Sequence, residues 1–214
     1  PSVYTGSSSS SQEKGCIVFN VVLVEPEIPA NTGNIGRTCV LAGARLHLVG
    51  PLGFSLDAHA LKRAGLAYWQ SLDVVTYPGW KSFVEANPAV RAALVRNTEE
   101  RSEAASDIHV HLLTKAGRRS IGESIYHDGD YLVFGKESAG LSRELISAHP
   151  ALAERIPMKT DMVLANAESW HERFDALHPE LERDACGNFV DPRASVVTSL
   201  NLSNACAIVL FEAL

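Results

Sequence analysis

Apolar residues occur in short runs separated by glycine, proline and charged residues, and these runs predict strands. The longest run covers residues 16–24, in which Asn20 is the single polar residue, and it is rich in β-branched side chains. A run of this kind is typical of a strand that is buried on both faces, which indicates a parallel sheet. Shorter runs predict further strands at residues 45–49, 73–76, 92–96, 110–114, 131–134 and 154–157.

Helix signals alternate with these strands. After Pro29, either Asn31 or Thr32 is predicted to cap a helix that runs through Arg37 and stops at Gly43. Further helices are predicted at residues 57–65, 78–86 and 199–214, with a charged helical excursion at 99–107. Alternating strands and helices predict an α/β fold, a parallel sheet flanked by helices whose ligands bind at the carboxyl ends of the strands.

Three separated segments each join a predicted strand to a turn and a helix. They are residues 25–37 (EPEIPANTGNIGR), residues 134–142 (FGKESAGLS), and residues 156–158 (IPM) together with 199–204 (SLNLSN). Glycine, asparagine and serine leave backbone N–H and C=O groups free at sharp turns. Together the segments predict a site that holds a small ligand largely through main-chain hydrogen bonds.

Residues 159–198 differ in character from the rest of the chain. Trp170, Phe174, Leu177 and Leu181 recur at helical spacing, which gives one apolar stripe on an otherwise charged helix. The segment is predicted to be a helical insertion of about 159–198, either a surface embellishment or a lid over the site. The domain prediction is therefore a disordered tail at residues 1–15 and a single domain at 16–214.

Composition sets the broad class of the protein. The 214 residues are 46% hydrophobic and 21% charged, enough to bury a core, and no apolar run is long enough to span a membrane. Residues 1–11 lack the features of a secretory signal. Three of the four cysteines lie in apolar runs without a CxxC pair, which predicts reduced thiols and a cytosolic protein.

Charge gives a mixed indication about nucleic acids. The formal net charge of −6 argues mildly against binding to a polyanion, since phosphate contacts need clustered lysine and arginine. Two local basic clusters exist, and each is either a solvated surface or an RNA contact. They are Lys62 with Arg63, and Lys115 with Arg118 and Arg119.

Other motif-based functions fit poorly. The GNIGR sequence lacks the glycine spacing of a dinucleotide fingerprint and the ending of a P-loop, and no GxSxG nucleophile elbow occurs. His109 and His111 alternate on a predicted strand, with no third ligand at metal spacing along the sequence, so they are predicted to be ordinary strand histidines. No metal is predicted.

A family resemblance adds to this picture. The sequences EPEIPANTGNIGRTC, RAGLAYW, YHDGDYLVFGKESAGLS, RIPM and SLNLSNA follow one another between residues 25 and 205. In this combination they resemble the SPOUT superfamily of RNA methyltransferases, and within it the TrmL-type tRNA (cytidine/uridine-2'-O)-methyltransferases that modify the wobble nucleotide. The resemblance implies a C-terminal trefoil knot, a homodimer, S-adenosyl-L-methionine bound in the knot, and the anticodon loop of tRNA as substrate.

The resemblance also implies which residues bind the cofactor. They lie at the ends of predicted strands or at the start of the last helix, where Ser203 and Asn204 are predicted to cap it. Glu137 has two interpretations, a carboxylate that accepts N–H groups of its own turn or one that orients Arg37, and the first is favoured. The implied cofactor residues are Leu113, Thr114, Gly135, Glu137, Gly140, Ile156, Met158, Ser199, Leu200, Asn201, Ser203 and Asn204.

Arg37 is the implied catalytic residue, either as a base or as an anchor for a substrate phosphate. Anchoring is favoured, because a guanidinium has a pKa above about 12 and fits a phosphate with two hydrogen bonds. A phosphate or water near the ribose then takes the hydroxyl proton. Asn31 and Asn34 either fix the loop or the ribose, or serve as a helix cap and a turn former.

Some features depart from the family pattern. The 40 residues between Met158 and Ser199 replace a short connection and carry several acidic side chains, Ala139 stands where a basic residue is common, and the chain stops at Leu214. A shortened last helix is expected to weaken the dimer. Two alternatives therefore stay open: a ribosomal RNA 2'-O-methyltransferase of the same superfamily, and a catalytically silent module that binds S-adenosyl-L-methionine and RNA.

Overall fold

A parallel seven-stranded sheet forms the centre of the part of the protein that is described by the computed structural model, which comprises residues 19–54, 67–96, 108–158 and 199–214. The strands are β1 Asn20–Val24, β2 Arg45–Val49, β3 Val74–Tyr77, β4 Val110–Leu113, β5 Arg119–Ser120, β6 Tyr131–Phe134 and β7 Ala153–Arg155. Their order across the sheet is β3-β2-β1-β6-β4-β7-β5. All paired strands run parallel, which confirms the predicted fold class.

Five α-helices lie within the described residues: α1 Pro29–Ala42, α2 Trp80–Ala86, α3 Pro88–Val95, α4 Arg143–Ala148 and α5 Leu202–Ala213. Three short 3-10 helices cover Ala67–Ser71, Ile121–Glu123 and Pro150–Leu152. None of the described helices is long and apolar enough to cross a membrane. The predicted helices at 57–65 and 99–107 and the insertion at 159–198 lie outside the described residues. The trefoil knot stays a prediction.

Both faces of the central strands are buried, as the continuous apolar run predicted. On β1, Val21 and Leu23 belong to a core shared with α1 and α5, whereas Val22 belongs to a second core shared with α2 and α3. The first core contains the fully buried thiols of Cys39 and Cys206. Burial raises the pKa of the Cys39 thiol to about 12, so both cysteines are inert core residues, as predicted for these two positions.

The structure corrects one predicted element and adds a strand that was not predicted. Residues 92–96 are not a strand but the end of α3, which begins with Pro88 at its first turn and buries Val90 and Ala93 three residues apart. A three-residue spacing of buried positions suits a helix, and the short apolar run had hidden it. β5 was not predicted, because two residues are too few to give a pattern.

Helix ends follow simple rules with two exceptions. Gly43 ends α1 in the left-handed conformation (φ 66°), as predicted. α1 begins at Pro29, however, so Asn31 and Thr32 lie inside its first turn and neither is the cap. Likewise α5 is capped by Asn201, whose side chain accepts a hydrogen bond from the Ser203 backbone, and not by Ser203 or Asn204.

Candidate functional site

A cavity of about 490 Å³ opens at the carboxyl ends of β4, β6 and β7. The start of α1 and the start of α5 close two of its sides through Asn31 and Leu202. The three predicted segments thus meet at one place, although they are far apart in the sequence. Their convergence agrees with the rule that parallel α/β sheets bind ligands at the carboxyl edge.

Most of the residues that the sequence analysis assigned to the cofactor line this cavity. From β4 and the loop after β6 these are Leu113, Thr114, Gly135, Glu137 and Gly140. From the end of β7 and the start of α5 they are Ile156, Met158, Ser199, Leu200 and Asn201. Ser203 and Asn204 are not among the lining residues, whereas Leu202 and Ala205 on the same turn of α5 are.

The cavity wall combines apolar side chains with open backbone. Met158 and Leu200 line the cavity and are 41% and 40% exposed, so their apolar surface is accessible to a ligand. Gly140 has a φ of +71° and nothing within 4 Å of where a Cβ would stand. A wall of this composition suits a ligand with a flat apolar ring and polar edges, because the side chains can contact the ring and the backbone can bond to its edges.

Two glutamates hold the loop after β1 against the loop after β6. The Glu137 carboxylate accepts hydrogen bonds from the backbone N–H of Glu27 (2.8 Å) and Ile28 (3.3 Å). In return the Glu27 carboxylate accepts from the backbone N–H and the hydroxyl of Ser138, both at 2.9 Å. We call this reciprocal pair the glutamate clasp. Glu137 therefore has a structural role, but it serves the loop before α1 and neither its own turn nor Arg37.

A chain of side-chain amides extends the clasp to the last helix. The Asn31 side-chain N–H donates to Glu137 (3.0 Å), and the Asn31 side-chain oxygen accepts from the Asn201 amide (2.9 Å). Asn201 accepts in turn from the hydroxyl of Ser203 (2.7 Å). Asn31 is buried, and its hydrogen bonds join all three segments.

Arg37 and Asn34 lie on the exposed side of α1 and do not line the cavity. The Arg37 guanidinium lies over the ring of Tyr68, 5.1 Å from its centroid, in a cation–π arrangement. The Tyr68 hydroxyl donates to the carbonyl of Gly33 in the same helix. Burial raises the pKa of Tyr68 despite the neighbouring Arg37, which keeps it a neutral donor.

Tyr68 was missed as a functional residue. It belongs to the RAGLAYW sequence that supported the resemblance, but only the fold shows that this segment supports the Arg37 side chain. An aromatic ring that supports a cation restricts its rotamers, so Arg37 is held ready on the surface.

Behind the cavity lies a buried polar network. His111 on β4 contacts Glu154 on β7 through Nδ1 (3.0 Å) and Asp130 before β6 through Nε2 (3.1 Å), and all three side chains are inaccessible to solvent. Burial acts to raise the pKa of Asp130, but hydrogen bonds from His111 and from the His109 backbone outweigh it and lower the pKa. Asp130 is therefore ionised, and His111 is a buried strand histidine, as predicted.

Comparison with known proteins identifies the family. Residues 18–167 match the SpoU rRNA Methylase family, which is well over half of the chain. The protein belongs to this family. Membership accounts for the parallel sheet and for the position of the cavity.

Individual SpoU-family relatives agree with this assignment. A tRNA (cytidine(34)-2'-O)-methyltransferase of Saccharophagus degradans is 40% identical over 158 residues, which cover 71% of this chain and 90% of the relative. A solved RNA methyltransferase from Bacillus anthracis is 34% identical with a TM-score of 0.64 and covers 91% of both chains. A structure solved to explain 2-OH methylation of C/U34 on tRNA is 31% identical, with a TM-score of 0.63 over 93% of this chain and 95% of its own.

The glutamate clasp predicts the effect of replacing Glu137 in this SpoU-family protein. Glu137→Ala removes the acceptor of two backbone N–H groups and of Asn31. Hydrogen bonds to a charged group are worth about 1.5–3 kcal/mol, so we expect the free energy of unfolding to fall by about 2–3 kcal/mol and the affinity for S-adenosyl-L-methionine to fall with it. Denaturant unfolding and isothermal calorimetry measure the two quantities.

Glu123→Ala is the matched control for this experiment. Glu123 also accepts a backbone N–H, that of Ser120 at 2.9 Å, but it does not line the cavity. We expect it to lower stability slightly and to leave cofactor affinity unchanged. Equal cofactor affinity in Glu137→Ala and the wild type would show that the clasp does not shape the cavity.

Proposed function

We propose that the protein transfers a methyl group from S-adenosyl-L-methionine to the ribose 2'-hydroxyl of the wobble nucleotide, a cytidine or uridine, of tRNA. The observation that carries the proposal is the meeting of the three family segments at one cavity. Arg37 is held by Tyr68 on α1, the helix whose Asn31 lines this cavity. The relatives named as tRNA (cytidine(34)-2'-O)-methyltransferases support the choice of substrate. The coverage of 90% of such a relative means that the similarity extends over nearly its whole length.

The chemistry of the cavity fits S-adenosyl-L-methionine. Leu113, Ile156 and Leu200 offer apolar contacts to an adenine ring, and the backbone around Gly135 and Gly140 offers hydrogen bonds to polar edges. The volume lies in the range of about 300–1,000 Å³ that small-molecule sites occupy. When bound, the cofactor supplies an electrophilic methyl group on its sulfonium.

The catalytic residues are proposed to act by orientation. Arg37 holds an RNA phosphate with two hydrogen bonds, because its guanidinium is exposed, fixed by Tyr68 and permanently charged. Asn34, exposed one turn earlier on α1, is proposed to contact the ribose, whereas Asn31 positions the loop from within. Orientation of two reactants is worth about 7–11 kcal/mol of barrier, so no strong base is required. The hydroxyl proton passes to a phosphate or to water.

The protein is further proposed to act as a homodimer. The outer faces of α1 and α5 leave large apolar side chains in solvent, with Leu41 at 77%, Ile208 at 43%, Phe211 at 58% and Leu214 at 48% exposure. A patch of this kind on two packed helices fits a second copy of the same surface. We further propose that the chain forms a single domain with a helical insertion at about 159–198. The proposed place of action is the cytoplasm, where tRNA is modified.

Phe211→Glu tests the dimer. We expect the variant to fold normally, since the side chain is already exposed, but to become monomeric because a carboxylate would be buried in the interface. Val95→Glu is the control, because Val95 is 80% exposed at the end of α3, which packs in the second core and not in the core that contains α5. Sedimentation analysis of both variants gives the mass. A Phe211→Glu protein with the mass of the wild-type dimer would contradict the proposed interface.

Methyl transfer tests the proposed function directly. Labelled S-adenosyl-L-methionine is incubated with the protein and bulk tRNA from cells that lack it, and the nucleosides are analysed by mass spectrometry after nuclease digestion. We expect 2'-O-methylcytidine or 2'-O-methyluridine that maps to the wobble position. Label in ribosomal RNA alone would favour the substrate in the family's description, and cofactor binding without transfer to either RNA would favour a silent module.

A further inference from the structure

A second cluster of ligand-type side chains lies at the amino ends of β4 and β6, at the edge of the sheet opposite to the cavity. His109 directly precedes β4, Asp130 directly precedes β6, and His127 lies in the turn before Asp130. We propose that these three residues bind one transition-metal ion, with Zn²⁺ as the best fit. The proposal is independent of the proposed function.

Distances within the cluster suit a common ion. One ligand atom from each residue lies within 4.8 Å of the others. The Nδ1 of His109 is 3.4 Å from Oδ1 of Asp130, and the Nδ1 of His127 is 3.8 Å from Oδ2. Zinc bonds of about 2.0–2.2 Å in a tetrahedron place neighbouring ligand atoms about 3.3–3.6 Å apart. The His109–Asp130 separation already lies in this range, and the His127–Asp130 separation exceeds it by about 0.2 Å.

The two imidazole rings lie close together. Their centroids are 5.0 Å apart and their planes are inclined by 35°. Nδ1 of His127 is buried and makes no hydrogen bond within the described residues, although its side chain is 15% exposed. A buried ring nitrogen that faces a carboxylate beyond hydrogen-bond distance calls for an atom between them.

Asp130 is held in place as metal-binding carboxylates usually are. Its Oδ1 accepts a hydrogen bond from the backbone N–H of His109 (2.6 Å). Its Oδ2 accepts one from the backbone N–H of His127 (2.9 Å) and lies 3.1 Å from Nε2 of His111. Oδ1 thus keeps one lone pair for a cation. Outer hydrogen bonds of this kind fix the orientation of a ligand and raise metal affinity.

The donor set limits the choice of metal. Two imidazole nitrogens with one carboxylate oxygen suit Zn²⁺ and Co²⁺, whereas Mg²⁺ and Ca²⁺ prefer oxygen ligands alone. Three protein ligands leave a fourth position for water. Because His127 belongs to the turn and His109 to the start of β4, the ion would tie that turn to the sheet and stabilise the strand pair.

Cobalt spectroscopy of the full chain tests the site. Chelator-treated protein is titrated with Co²⁺, and we expect one equivalent with the intense d–d absorption of a tetrahedral site and without thiolate charge transfer. Zn²⁺ should displace it and raise the melting temperature, as any ligand of the folded state does. Thiolate charge transfer in place of this spectrum would assign the ion to cysteines and overturn the proposal.

His127→Ala attributes the binding to this cluster. The side chain is the most exposed of the three, so the variant is expected to fold, which circular dichroism and cofactor binding verify. Loss of a residue that only supports a metal ligand weakens metal binding by about 10–100-fold. Loss of a direct ligand should therefore weaken Co²⁺ binding by at least about 100-fold. His149→Ala, a histidine at the end of α4, should bind Co²⁺ like the wild type. Equal Co²⁺ affinity in His127→Ala and the wild type would overturn the proposal, as would an absence of binding by the wild type. Either result would leave a buried water as the bridging atom.

Discussion

Arg37→Ala is expected to abolish methyl transfer to tRNA while S-adenosyl-L-methionine still binds. Arg37 lies outside the cavity, on the exposed side of α1, so its loss removes no cofactor contact. Misplacement of a substrate by about 1 Å can cost about 10²-fold in rate, so a loss of at least this size is expected. Single-turnover methyl transfer and calorimetric cofactor binding separate the two effects.

Two further variants define how Arg37 acts. Arg37→Lys keeps the charge but not the paired hydrogen bonds, so it should recover only a small part of the rate if the guanidinium anchors a phosphate. Tyr68→Phe keeps the aromatic ring under Arg37 and loses only the hydrogen bond to Gly33, so a modest loss of rate is expected. Unchanged turnover in Arg37→Ala would remove Arg37 from the mechanism.

Gly135→Ala is expected to cause the largest loss of stability. An added Cβ would lie 2.0 Å from the carbonyl carbon of Gly140 and 2.1 Å from the backbone nitrogen of Leu141. Backbone atoms cannot move aside as a flexible side chain can, so the whole loop after β6 must open. We expect the free energy of unfolding to fall by at least about 3 kcal/mol and cofactor affinity to fall more than tenfold.

Gly122→Ala is the matched control for this steric effect. Its added Cβ would meet only a side-chain oxygen of Glu212, at 3.7 Å, which is ordinary contact distance. Chemical unfolding of the two variants should therefore separate clearly. A Gly135→Ala protein as stable as Gly122→Ala would mean that the close approach of the loop to β6 is not maintained in solution.

The sheet could be predicted because its central strands are buried on both sides. Because both faces are buried, β1 and β6 have nearly continuous apolar sequences without an alternation of polar and apolar residues. The same criterion, a continuous apolar run, explains the error at residues 92–96. A short apolar run cannot distinguish a strand from a half-buried helix, and only the spacing of Val90 and Ala93 indicates α3.

The location of the site could be predicted, but its internal connections could not. Strand ends rich in glycine and asparagine pointed to the cavity, because the carboxyl ends of parallel strands share one edge. The partners of Glu137 are about 110 residues away, at Glu27 and Ile28, and no local signal identifies them. The same holds for His127 and Asp130, which approach His109 only because β4 and β6 are neighbours.

The glutamate clasp also bears on the order in which ligands bind. Glu137 is part of the cavity wall. Its hydrogen bonds also fix the loop that leads into α1, the helix that carries Arg37. A ligand that orders one of these loops therefore orders the other. By thermodynamic linkage, whatever factor the cofactor adds to the affinity for RNA, the RNA adds to the affinity for the cofactor. We therefore expect the protein to hold its methyl donor more tightly when the RNA is present.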